Sequence, residues 1–142
     1  MLQNLLIAWS LLAVTVMIHA AGLALVSRRL SRSWSPDTRF WPVTWLLVRV
    51  AWQLLVLHVI EIALWAVFFW WEHCLPSMES AFYFSGVTYA TVGYGDLVLP
   101  QEWRLFGPIE GLTGILMCGL SVSVFFAVVS RVIHIDPAKG SN

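Results

Sequence analysis

Charge is scarce in this chain of 142 residues: Asp, Glu, Lys and Arg together supply 11% of it, against about 25% in an average soluble domain. So small a share cannot cover an ordinary solvated surface, which excludes a soluble enzyme. Neither sign is in excess, with eight bases against eight acids, so nothing marks a nucleic-acid partner. Cysteine is nearly absent, and Cys74 and Cys118 cannot form a disulfide framework. What fills the chain instead is apolar: 59% hydrophobic residues, nine tryptophans and a mean hydropathy of +0.78. Tryptophan favours the membrane–water interface. The composition is that of an integral membrane protein.

The apolar residues fall into three long runs. Residues 5–26 contain no charge and suffice to cross a hydrocarbon core of roughly 30 Å. A cleavable signal would begin with bases. Here Met1-Leu2-Gln3-Asn4 leads and the arginines follow, so residues 1–27 read as a retained accessory helix with its N-terminus outside. Residues 28–42 carry Arg28, Arg29, Arg32 and Arg39 against Asp37, which makes this linker cytoplasmic. Within it Ser35-Pro36-Asp37 has the chemistry of a helix start, and Pro42 is expected to end that helix. Phe40, Trp41 and Trp45 then suit a short interfacial segment, with a plain loop as the alternative. The second span, residues 43–71, returns outward with Arg49 snorkelling and Trp70 and Trp71 at the outer boundary. The third, residues 106–134, ends near Arg131 and Lys139, and residues 135–142 form a short cytoplasmic tail. Between the last two spans lie Glu72, Glu79, Asp96 and Glu102 with Arg104 as the only base. The outer face is thus acidic and the inner face basic.

Residues 78–90 are apolar but too few to cross, as in re-entrant or interfacial segments. Leu75-Pro76-Ser77 supplies a stop and an N-cap, and Glu79 falls in the first turn. Thr91-Val92-Gly93-Tyr94-Gly95-Asp96 follows directly. Non-helical backbone at membrane depth must be buried in protein or line a water-filled path. Gly93 and Gly95 permit positive φ, so successive carbonyls can all face one axis. Such oxygens can replace the water shell of a cation. Thr91 adds a hydroxyl, Val92 and Tyr94 point away from the axis, and the helix C-terminus favours a cation below.

The run Thr88-Tyr89-Ala90-Thr91-Val92-Gly93-Tyr94-Gly95-Asp96 resembles the selectivity-filter signature of tetrameric potassium channels. The likeness covers about residues 43–131, the pore module of two-transmembrane-type bacterial channels, with the first helix additional. It implies an all-α membrane protein with three transmembrane helices, a re-entrant pore helix (78–90) and an extended filter (91–96), four chains around one pore. It further implies a homotetramer in the plasma (inner) membrane, binding K+ at Thr91, Val92, Gly93, Tyr94 and Gly95, with no cofactor beyond the permeant ion. Tyr83 and Phe84 stand where an aromatic pair braces the filter, and Tyr83 is placed to donate to Tyr94 or Asp96. Val87 occupies a position that often holds a carboxylate, so Asp96 lacks that partner. Gly114 and Gly119 are candidates for a gating hinge or for close helix packing. Val122, Phe126 and Ser130 recur at helical spacing as pore-lining residues, with Phe126 at a constriction that gates by dewetting.

No span repeats Arg or Lys every third residue, so a voltage sensor is not expected. Residues after His134 are too few for a ligand-binding domain. His19, Gln53, His58 and Glu61 are polar within the spans. His19, His58 and Glu61 read either as a pH-sensing cluster or as interhelical hydrogen-bonded glue. A metal enzyme built on His58 and Glu61 wants a third ligand and a nucleophile. Glu72-His73-Cys74 reads as a metal site or as a solvated boundary with a free thiol. The function expected is passive K+ conduction, with a regulatory, non-conducting subunit or a weakly selective cation channel as alternatives.

Overall fold

The computed structural model describes residues 2–32 and 40–133. The expected helix start at Ser35-Pro36-Asp37, His134 and the tail 135–142 lie outside the described residues. Among the described residues four α-helices are present: α1 (Leu2–Arg32), α2 (Phe40–Trp71), α3 (Met78–Tyr89) and α4 (Phe106–Ile133), with a 3₁₀ turn at Gln101–Trp103. Three stretches are long and apolar enough to cross a membrane: Gln3–Leu30, Trp41–Trp71 and Gln101–Arg131. α1 runs into its arginines without a break, because Arg28 and Arg29 are exposed and can extend towards the interface.

Pro42 does not end a helix. It lies in the first turn of α2, where its missing N–H would have no intrahelical partner anyway and its fixed φ suits the helix. Phe40, Trp41 and Trp45 therefore belong to the same helix as Trp71. Trp41 and Trp71, 77% and 72% exposed, are separated by about 45 Å of helix at 1.5 Å per residue. That matches the roughly 40–45 Å between the two headgroup regions.

α3, at 12 residues, is only about 18 Å long. Ser77 caps it by accepting a hydrogen bond from the Ser80 amide at 3.1 Å, and Glu79 complements the dipole in the first turn. α3 lies against α2 and α4, and α1 packs on α2 and α4. One apolar cluster, including Trp65, Phe69, Leu75 and Phe106, fills the end near α3's N-terminus. A second, of Val26, Val50, Leu54 and Val128, fills the opposite end. Between them lie the buried polar side chains of Thr15, His19, Glu61 and Ser121. With no water at that depth each must pair inside the protein.

Candidate functional site

The residues after α3 are placed by the way that helix stops. Ala90 is the C-cap, and Thr91 takes φ +59°. The Thr91 amide donates to Thr88 O at 2.9 Å and the Val92 amide to Val87 O at 2.9 Å. This is a Schellman ending, whose left-handed position glycine usually occupies because it has no Cβ penalty. A β-branched residue there is an outlier, costing about 1–2 kcal/mol. The hydroxyl of Thr91 is the chemical gain that glycine would not bring.

Positive φ recurs at Gly93 (+55°) and Gly95 (+77°), with Val92 and Tyr94 between them in the ordinary range. Left-handed residues at every second position turn alternate peptide planes over, and this is the condition for successive carbonyls to face one side. Val92 and Tyr94 are 52% and 72% exposed in the single chain. Tyr83 on α3 donates to Asp96 Oδ2 at 2.8 Å, tying the far end of the strand to the helix that starts it. The adjacent carboxylate raises the Tyr83 phenol above its ordinary range. Tyr83→Phe removes this tie. Macroscopic current is expected to decay about two- to fivefold faster, the kinetic equivalent of one modest hydrogen bond, as read in patch recordings. Phe84 does not join Tyr83 at Asp96; its ring meets Phe69 edge-on at 5.4 Å in the apolar core.

The two candidate hinge glycines differ. Gly114 is buried, and a Cβ there would lie 2.9 Å from the Tyr89 carbonyl carbon and closer still to its oxygen. It is a packing glycine that lets α4 approach the end of α3. Gly119 has nothing within 4 Å of a built Cβ. Val122 and Phe126 share an exposed face, 65% and 68% accessible, whereas Ser130 is half-buried. Steps of four residues overshoot a turn, so by Ser130 the row has rotated about 80° towards the protein.

His19, His58 and Glu61 come together from two helices. His19 Nδ1 lies 2.8 Å from Glu61 Oε1, and His58 Nδ1 lies 3.5 Å from Glu61 Oε2. Two further members were not singled out by sequence. Tyr89 Oη donates to Glu61 Oε2 and lies 3.0 Å from His58 Nδ1. Ser121 Oγ lies 3.4 Å from His19 Nε2. Every helix thus contributes, and Tyr89 links the cluster to the helix end that sets Thr91. Trp65 Nε1 donates to Thr15 Oγ1 at 3.1 Å nearby, joining α1 to α2 once more. Gln53 remains apart, half-buried near the Arg29 end.

Glu110 was also missed. It is fully buried on α4, with Ser85 Oγ 2.5 Å from its Oε1 and 2.9 Å from Ile62 O. Its signal was an acid inside an apolar helix, a position where carboxylates are costly. Glu72-His73-Cys74 forms no solvated thiol site. Cys74 is buried, and burial together with the Glu72 charge pushes its thiol up to about 11, away from the thiolate a metal needs.

Three membrane-length helices, a short capped helix and a strand of alternating φ define a membrane channel rather than an enzyme. The chain belongs to the ion channel family: the family described as "Ion channel" matches residues 54–131, more than half of the sequence. Over 60 residues it is 38% identical to the A-type voltage-gated potassium channel KCND3 of Rattus norvegicus, covering 41% of this chain and 9% of that protein. The same identity and coverage hold for KCND3 of Oryctolagus cuniculus and of Homo sapiens. The chain therefore spans about a tenth of the length of these relatives. No solved structure matches it.

Proposed function

We propose that four copies of this chain form a potassium-selective channel that passes K+ down its gradient. The observation that carries the reading is the left-handed backbone at Thr91, Gly93 and Gly95. In four copies around an axis, the carbonyls of residues 91–95 replace the hydration shell of a dehydrated cation. The similarity to KCND3, whose name is that of a potassium channel, supports K+ as that ion. The C-terminus of α3 points partial negative charge at the inner approach, and Glu72, Glu79, Asp96 and Glu102 raise cation concentration at the outer one.

The tetramer is supported by what the single chain leaves uncovered. Leu112, Ile115, Leu116, Val122 and Phe126 form an exposed stripe along α4 that begins beside the strand. In the assembly its upper part meets neighbouring copies and its lower part lines the conduction path. The arginines after α1 and at the end of α4 support an arrangement with the N-terminus outside and the end of α4 in the cytoplasm, in a plasma (inner) membrane. A non-conducting subunit would gain nothing from strained residues in this alternation, and a weakly selective channel would not need Asp96 held to Tyr83.

Phe126, exposed on α4, is the bulky apolar ring that this arrangement turns towards the lower conduction path. Phe126→Ala is expected to raise basal K+ flux into liposomes several-fold, since a smaller side chain holds water in the constriction. Unchanged flux would remove Phe126 from the gate. Mass measurement of the detergent-solubilised protein tests the assembly: four copies are expected, and monomer or dimer alone would contradict it.

A further inference from the structure

We propose that His19, His58 and Glu61, with Tyr89 as fourth donor, form a binding site for a borderline transition-metal dication such as Zn2+, buried at mid-membrane beside the pore. The ligand atoms of His19, His58 and Glu61 all lie within 4.8 Å of one another, and no other such group occurs among the described residues. His19, grouped with His58 and Glu61 in the sequence as a polar cluster, comes from α1 as the third ligand that a site on α2 alone wants.

The spacing suits a metal. Tetrahedral Zn2+ with N and O ligands at about 2.0–2.1 Å requires donor atoms roughly 3.3 Å apart. The separations here are 2.8 Å for His19 Nδ1 to Glu61 Oε1, 3.5 Å for His58 Nδ1 to Glu61 Oε2 and 3.0 Å for His58 Nδ1 to Tyr89 Oη. These pairs need shifts of a few tenths of an ångström, while the set as a whole, spread over up to 4.8 Å, draws in further as its ligand atoms turn from one another to a central ion. Two imidazoles, a carboxylate and a phenol oxygen favour zinc and its neighbours over K+, Mg2+ or Ca2+.

The surroundings suit one as well. Ser121 Oγ faces His19 Nε2 at 3.4 Å. In the metal-bound state a proton on Nε2 donates to Ser121 Oγ and leaves the Nδ1 lone pair for the ion, as outer-shell partners do for metal-bound histidines. Without metal, Nδ1 carries the proton and donates to Glu61 Oε1 at 2.8 Å, and the ion takes that proton's place. Coordination releases the protons of the cluster to water. With the phenolic proton among them, Glu61 and Tyr89 neutralise the dication, which limits the cost of charge at this depth. His58, 19% exposed at its side chain, gives the ion a way in. Once bound, the ion would fasten α1 and α2 to the last residue of α3.

Binding is read without ion flux, so the result does not depend on the protein conducting K+. The full chain, purified in detergent and stripped with EDTA, is titrated with Co2+ and separately with Zn2+. One metal per chain, visible d–d absorption of tetrahedral Co2+ abolished by Zn2+, and a melting point raised by about 5–10 °C in hundredfold excess over Kd are expected. His58→Ala should weaken binding by about a hundredfold or more, since even outer-shell partners are worth 10–100-fold. His19→Gln keeps a hydrogen-bond donor towards Glu61 and guards against misfolding. A folded His19→Gln protein should lose the absorption. Wild-type protein that shows no stoichiometric metal, or a Co2+ spectrum that survives in both variants, would overturn the proposal.

Discussion

Gly95→Ala is expected to abolish potassium flux while leaving the helices assembled. Gly95 sits at φ +77°, and an added Cβ would touch nothing within 4 Å in the chain. The penalty is therefore conformational rather than steric, about 1–2 kcal/mol per copy. In the proposed tetramer four copies share one path, so the total is about 4–8 kcal/mol against the conducting arrangement, enough for a loss of at least a hundredfold. Gly93→Ala, at φ +55° with equally open space, should behave the same way. Rubidium uptake into liposomes reads the effect, and size-exclusion chromatography checks that assembly survives. Wild-type uptake by either variant would show that residues 91–95 conduct in some other conformation, or not at all.

Gly114→Ala should fail differently, by unfolding. Its Cβ would meet backbone atoms of Tyr89, which cannot rotate aside as a side chain can. α4 would have to move off the end of α3, and overpacking of this kind costs about 1–3 kcal/mol or more. The protein is expected to melt many degrees lower, or not to accumulate. Gly119→Ala is the contrast. Its site is open, and alanine is the better helix former by about 1 kcal/mol, so stability should hold or rise. Melting followed by tryptophan fluorescence ranks the two. A tolerated Gly114→Ala would deny the close approach of α4 to Tyr89 and restore Gly114 as a hinge.

Much of the fold was legible because the membrane limits the choices. A chain with this little charge must place its apolar runs in lipid, and their lengths decide which cross. The break at Pro42 was misread because proline interrupts a helix interior but is welcome in a first turn, and nothing local tells the two apart. The positive φ at Gly93 and Gly95 was legible, because two glycines with one residue between them permit it at no steric cost. Thr91 was expected there for its hydroxyl; that its backbone is also left-handed follows from the Schellman ending, which depends on where α3 stops. Tyr89 and Ser121 were hidden for another reason. Each looks like part of something else, the one a signature residue and the other a small packing residue. Only the crossing of four helices brings them to His19 and Glu61. The packing of α1 on α2 brings His19 level with Glu61, with 2.8 Å between Nδ1 and Oε1.

The central claim is that this strand selects potassium. Purified protein in a planar bilayer, with potassium on one side and sodium on the other, tests it in one recording. The account predicts a reversal potential displaced far towards the potassium equilibrium value. A reversal near zero, or no current from protein that is demonstrably assembled, would contradict it.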